Sequence, residues 1–144
     1  MIKRGQGLFL EMDYADGKGI TKKRPFLVID VSENEIKVLN VSSLKNKEHK
    51  LGFKSNKRIN KYKPPFIKPS FVKLDAIYII EKDNRLEKFL LCDGRAMFPL
   101  ELENIIESFY EFKNNNNVLM KNTSINEIIQ INSLVFDEVA AHKY

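Results

Sequence analysis

The first hundred residues are a succession of short apolar runs, each closed by turn-forming residues before it reaches helical length, and this punctuation restricts the chain to a small β-rich fold. Gly7-Leu8-Phe9-Leu10-Glu11-Met12 is the first run, and Asp16-Gly17-Lys18-Gly19 follows as a loop in which glycine permits positive φ. Pro25-Phe26-Leu27-Val28-Ile29-Asp30-Val31 is β-branched and bounded by polar residues, which predicts a buried strand. Ser32-Glu33-Asn34 supplies a turn before Glu35-Ile36-Lys37-Val38-Leu39-Asn40-Val41-Ser42, whose alternation predicts the returning arm of a hairpin. One short edge strand is expected near His49 to Ser55, inside a longer loop. Phe71 to Ile80 is the strongest strand pattern, and Phe89-Leu90-Leu91-Cys92 reads as a shorter buried one. Five or six short strands at this spacing predict a compact barrel or sandwich.

The pattern changes at Pro99. Leu102, Ile105, Ile106, Phe109 and Tyr110 recur at helical spacing, with proline suited to the first turn. Asn114 to Asn117 has poor helix propensity and ends this element. Ser124-x-x-Glu127 matches a capping box that opens a second helix through Ile128, Ile129, Ile131, Leu134, Val135 and Phe136. The expected organisation is one α+β domain dominated by β over residues 1–144. Its barrel covers about 4–98, a packed helix about 99–113, and an appended C-terminal helix about 124–141. That last helix is apolar around much of its circumference, so it should pack on the barrel or on another chain.

Charge is unevenly placed. Lys45, Lys47, Lys50, Lys54, Lys57, Arg58, Lys61 and Lys63 stand against Glu48 alone, so this stretch exceeds the +5 of the whole chain. Such a field attracts polyanions, nucleic acid first among them, although a solvated loop carries the same charges. Other chemistries are poorly supported. His49 and His142 are far apart and no Cys/His spacing resembles a ligand set, so no metal site is expected. No phosphate-cradling GxxxxGK[ST] or dinucleotide fingerprint occurs, so no cofactor is expected. Neither histidine lies near a serine motif of the hydrolytic kind. The lone Cys92 sits in an apolar run and reads as structural. No apolar run approaches the roughly 20 residues that span a bilayer. Met1-Ile2-Lys3-Arg4-Gly5 lacks a signal-peptide core, so a cytoplasmic protein without membrane contact is expected.

Three stretches, in order and spacing, resemble the MazF/PemK family of type II toxin endoribonucleases. They are Lys23-Arg24-Pro25-Phe26-Leu27-Val28-Ile29 after a glycine-containing loop, Val38-Leu39-Asn40-Val41-Ser42-Ser43, and Leu74-Asp75-Ala76-Ile77-Tyr78-Ile79-Ile80-Glu81-Lys82. The resemblance runs from about Arg4 to Phe112. It implies a small SH3-like, PemK-type barrel with packed helices, usually a homodimer, that cuts single-stranded RNA at short sequences and is neutralised by a cognate antitoxin. It also implies metal-independent chemistry, in which the ribose 2′-OH attacks the adjacent phosphate and leaves a cyclic phosphate and a free 5′-OH. Arg24 matches the family's catalytic arginine, a residue whose guanidinium stays charged and can donate to two phosphate oxygens. Ser42 matches the assisting hydroxyl, with Ser43 in its place if the register slips by one. Candidate RNA contacts are Lys22, Lys23, Lys45, Lys47, Lys50, Lys54, Lys57, Arg58 and Tyr78.

The third stretch departs from the family, with Ala76 where glutamine is usual, Tyr78 where arginine is, and Ile79 where threonine is. Tyr78 is open to two readings, a platform on which a base stacks or a core residue. Two alternatives to the nuclease follow. One is a barrel of the same ancestry that has lost catalysis and holds nucleic acid or protein. The other is a toxin-like inhibitor of another macromolecule, such as a topoisomerase, with the appended helix at the contact.

Overall fold

The computed structural model describes residues 1–20 and 22–133. Seven strands form one largely antiparallel sheet: β1 (Gly7–Leu10), β2 (Arg24–Val31), β3 (Glu35–Ser43), β4 (Asn56–Arg58), β5 (Ser70–Lys73), β6 (Ala76–Glu81) and β7 (Leu119–Thr123). Helix α1 spans Pro99–Asn115 and α2 spans Ile125–Ile131. The expected hairpin is present as β2 and β3, paired from Phe26 opposite Asn40 to Val31 opposite Ile36. Among the described residues the strands number seven rather than five or six, and their hydrogen-bonded path is open rather than closed into a ring.

Strand β3 organises the sheet. One edge pairs with β2, while the other is shared, its first half by β6 and its last three residues by β5. The strongest strand in the sequence is therefore two strands, broken at Leu74 and Asp75. Val41 faces Val72 and Val38 faces Tyr78, so two β3 residues, Leu39 and Asn40, lie opposite the five from Lys73 to Ile77. A bulge of this size bends the sheet and takes neighbouring backbone away from Asn40.

Both faces of the sheet are covered, which explains why β2 buries four consecutive residues instead of alternating. Phe26, Val28, Val38, Tyr78 and Ile80 face one core with Ile125 and Ile128 of α2. Leu27, Ile29, Leu39, Val41 and Val72 face the other with Leu102, Ile105 and Phe109 of α1. The α2 cap forms as expected: Ser124 Oγ accepts from the Glu127 amide at 3.2 Å, and the Ser124 amide donates to Glu127 Oε1 at 3.4 Å. The remainder of the expected appended helix, with Leu134, Val135 and Phe136, lies outside the described residues, as does His142.

Three local expectations are corrected. His49 to Ser55 is no strand; residues Glu48–Gly52 form a 3₁₀ turn, and pairing begins only at β4. The run at Phe89 to Cys92 is bounded by 3₁₀ turns at Asn84–Phe89 and Cys92–Gly94, and it meets the sheet through a single bridge from Leu90 to Leu8. Strand β7 was not anticipated. It lies parallel to β6, with Ile77 beside Met120 and Ile80 beside Thr123. Its Leu119 and Met120 are exposed, so apolar alternation did not announce it.

Two contacts hold the segment from Asn60 to Phe66 beside β1 and α1. Gly7 brings β1 close to the Pro65–Phe66 segment, because a Cβ there would stand 2.9 Å from Cβ of Pro65. Buried Glu101 of α1 accepts from the Asn60 amide at 2.7 Å, which fixes the loop leading into that segment.

Candidate functional site

The hairpin register carries Arg24 and Ser42, 18 residues apart in sequence, to the same end of the β2–β3 pair. They line one open cleft of about 400 Å³ together with Phe9, Lys23, Ser43, Lys47 and Lys68, and with Pro65, Phe66 and Ile67 as an apolar wall. Ser42 is held firmly. Its backbone lies inside the sheet opposite Phe71, and its hydroxyl accepts a hydrogen bond from Lys47 Nζ at 3.3 Å. A hydroxyl that accepts this bond can still donate its own O–H. Ser43 also lines the cleft but is exposed, and its hydroxyl accepts from the Lys45 amide at 3.2 Å. Ser42 is the better placed of the two candidates.

Arg24 is half-buried, and its Nε is a buried donor with no hydrogen-bond partner. No carboxylate among the described residues forms an ion pair with it. A buried, unsatisfied polar group costs about 1–3 kcal/mol, more when charged, so a guanidinium left in this state is poised for an anion. Three buried side-chain atoms among the described residues lack a partner: Arg24 Nε, Asn40 Oδ1 and Thr123 Oγ1. The first two belong to neighbouring positions on this part of the sheet.

A second, smaller cavity of about 180 Å³ opens behind the bulge, lined by Tyr14, Asp16, Asn40, Lys73, Asp75 and Tyr78 among others. Lys73 lines this cavity and feels the charge of Arg24. Burial lowers its pKa from the ordinary lysine value, and the nearby charges of Arg24, Lys50 and Lys47 lower it further while Asp75 opposes them. Sequence reading passed over Lys73 because it stands inside the best strand pattern, where a lysine reads as a solvent-facing residue.

The remaining predicted residues divide. Lys23 and Lys47 lie in the cleft. Lys50 is close enough to Lys73 to influence its titration. Lys54 and Lys57 line a wider groove of about 590 Å³ against α1. Arg58 spends its guanidinium on the Tyr62 hydroxyl at 2.7 and 3.1 Å. Lys22 and Lys45 are exposed and line neither space. Tyr78 is a correction: it is 4% exposed, and its ring meets Phe26 edge-on at 5.3 Å, so it offers no face to a base. Its hydroxyl, which accepts from the Ala15 amide at 3.4 Å, lines the smaller cavity, and burial raises its pKa. The accessible aromatic at the cleft is Phe9, 42% exposed. Its outward place between buried Leu8 and Leu10 was the available signal.

No group of His, Cys, Asp and Glu placed to hold a metal ion occurs among the described residues. None of their helices is long and apolar enough to cross a membrane. No protein-family model matches the chain, and no curated protein matches it in sequence.

Proposed function

We propose that the protein is a toxin-like endoribonuclease that cuts single-stranded RNA at the Arg24–Ser42 cleft. The observation that carries this reading is the convergence of an unpaired, half-buried guanidinium with a hydroxyl oriented by Lys47, in a cleft whose remaining charged groups are lysines. In the reaction the ribose 2′-oxygen attacks the adjacent phosphorus as its proton departs. The bond from phosphorus to the 5′-oxygen breaks, and that oxygen takes up a proton. The products are a 2′,3′-cyclic phosphate and a 5′-OH. Charge accumulates on the non-bridging oxygens of the five-coordinate transition state, and the Arg24 guanidinium and Ser42 hydroxyl are disposed to donate to them. Lys23 and Lys68 attract the backbone, and Phe9 gives a base a face on which to stack.

We propose further that the bent sheet is an opened form of the MazF/PemK-type, SH3-like barrel, acting as a homodimer and restrained by a cognate antitoxin. Support comes from the division of β3 between two groups of strands and from the convergence of Arg24 and Ser42 on one cleft. The altered third stretch is consistent with this reading in one respect. Tyr78 and Ile79 are buried, so their change from polar residues shifts packing rather than the cleft.

The test is incubation of the purified protein with a long single-stranded RNA in the presence of EDTA, with product ends mapped beside an Arg24→Ala control. Discrete cuts with 5′-OH ends that vanish in the variant are expected. Intact RNA from folded protein at high concentration would replace the nuclease with the catalytically inactive binding module.

A further inference from the structure

We infer that the small cavity behind the bulge at Lys73 to Ile77 is a receptor for a single nucleobase, the one next to the phosphate held in the cleft. This rests on the nuclease reading above but is carried by different observations. Asn40 is 5% exposed, its Oδ1 has no partner, and it lines this cavity. The carboxamide is thus held inside the protein with its hydrogen-bonding capacity unused, because the five residues from Lys73 to Ile77 bulge away from it. A half-turn of the amide offers either donor or acceptor to a ligand.

The cavity's chemistry selects its occupant. Asp16 and Asp75 at its rim disfavour a phosphate, and Lys73 disfavours a free cation. A neutral group with donors and acceptors on one edge suits all three. At about 180 Å³ the space is below the roughly 300–1,000 Å³ of sites for drug-sized ligands, so it admits one ring system rather than a whole nucleotide. A carboxamide can form paired hydrogen bonds with a base edge, best with adenine. Asn40 and Ser42 lie two residues apart on β3 and hence on one side of the strand, about 7 Å apart. That spacing lets a phosphate in the cleft and an adjoining base in the cavity belong to the same short stretch of RNA.

The decisive experiment titrates isotope-labelled full-length protein with adenosine, guanosine, cytidine and uridine, following the Asn40 side-chain amide by NMR. Cleavage-site preferences in a random RNA pool are then compared for the wild type, Asn40→Ala and Lys73→Gln. One nucleoside should move the Asn40 signal, and with it the backbone amides of the cavity residues Asp75 and Tyr78, with at least about tenfold preference over another, and Asn40→Ala should abolish the shifts of Asp75 and Tyr78. The same variant should lose the base preference at one position beside the cut while melting no lower than the wild type, because it removes an unsatisfied buried group. Lys73→Gln provides a second readout if Asn40→Ala does not fold. Absence of any nucleoside response at Asn40 would overturn the inference, as would unchanged cleavage preferences in both variants. A nucleoside response without RNA cleavage would retain the cavity's role and reject the nuclease.

Discussion

The lysine-rich stretch feeds two depressions of contrasting character, the Arg24 cleft and the groove between β4 and α1. The groove is the wider, and Lys54 and Lys57 line it. Its uncharged polar side chains on α1 are engaged within the helix: Ser108 Oγ donates to the Asn104 carbonyl at 2.9 Å, and the Asn115 and Asn116 amides donate to the Glu111 and Phe112 carbonyls at 3.1 Å. Glu111 adds a carboxylate opposite the lysines. The cleft has an unpaired guanidinium and no acid in its lining. The two depressions therefore differ in unspent hydrogen-bonding capacity rather than in lysine content, and the proposed nuclease reading rests on that difference.

Substitutions can sharpen or break that contrast. Arg24→Ala should reduce RNA cleavage by about 10²–10³-fold, the range for removal of one charge-stabilising donor, with no loss of folded structure by circular dichroism. Lys54→Ala with Lys57→Ala should leave the cleavage rate unchanged, and a comparable loss there would abolish the distinction between the two depressions. Next in size is Phe9→Ala, which should weaken binding of single-stranded RNA by about 1–3 kcal/mol if a base stacks on it. Phe53, 55% exposed within the lysine stretch but away from the cleft, serves as the control, and Phe53→Ala should bind RNA as the wild type does.

Smaller effects concern charge. Removing Lys23 or Lys68 should lower the slope of log affinity against log salt by about 1 for each lost phosphate contact, whereas removing Lys54 should not. Titration of binding across several salt concentrations measures this directly. The least effect is on stability. In the folded protein Lys73 titrates below its ordinary value of 10.5, chiefly through burial and then through the charge of Arg24. Between that lowered value and 10.5 the unfolded chain holds a proton that the folded chain has released. Stability contributed by this group therefore rises as pH increases through the window. Lys73→Met should flatten that rise in thermal melts run from neutral to alkaline pH; an identical profile would show that the lysine is solvated in the native state.

Much of the architecture was legible because it depends on short-range chemistry. The β2–β3 hairpin followed from β-branched runs around Ser32-Glu33-Asn34, α1 from the spacing of Leu102, Ile105 and Phe109, and the α2 start from Ser124 and Glu127. Strand β7 was hidden because it has an edge position and exposes its apolar residues, so no alternation marks it. The break in the 70–81 run was hidden for a different reason. Nothing in Leu74-Asp75 forbids extension; the bend follows from β3 serving two sets of neighbours.

The candidate site was legible only in part. Resemblance selected Arg24 and Ser42, and the lysine run marked where cations are concentrated. Which lysines share the cleft could not be read from spacing, since Lys47 reaches Ser42 while Lys54 and Lys57, a few residues later, lie against α1. Sequence left Tyr78 open to either reading and did not mark Phe9; the structure buries the first and exposes the second, because exposure depends on what packs over a strand.

By itself the sequence determined the β-rich class, the hairpin, the helical C-terminal part and the location of its charge, all set by backbone preference and residue periodicity within a few turns of chain. Tertiary structure decided which groups go unpaired. The orphaned donor at Arg24 and the orphaned acceptor at Asn40 exist because residues distant in sequence either fail to reach them or bulge away, and desolvation is a property of the assembled surroundings rather than of any residue alone.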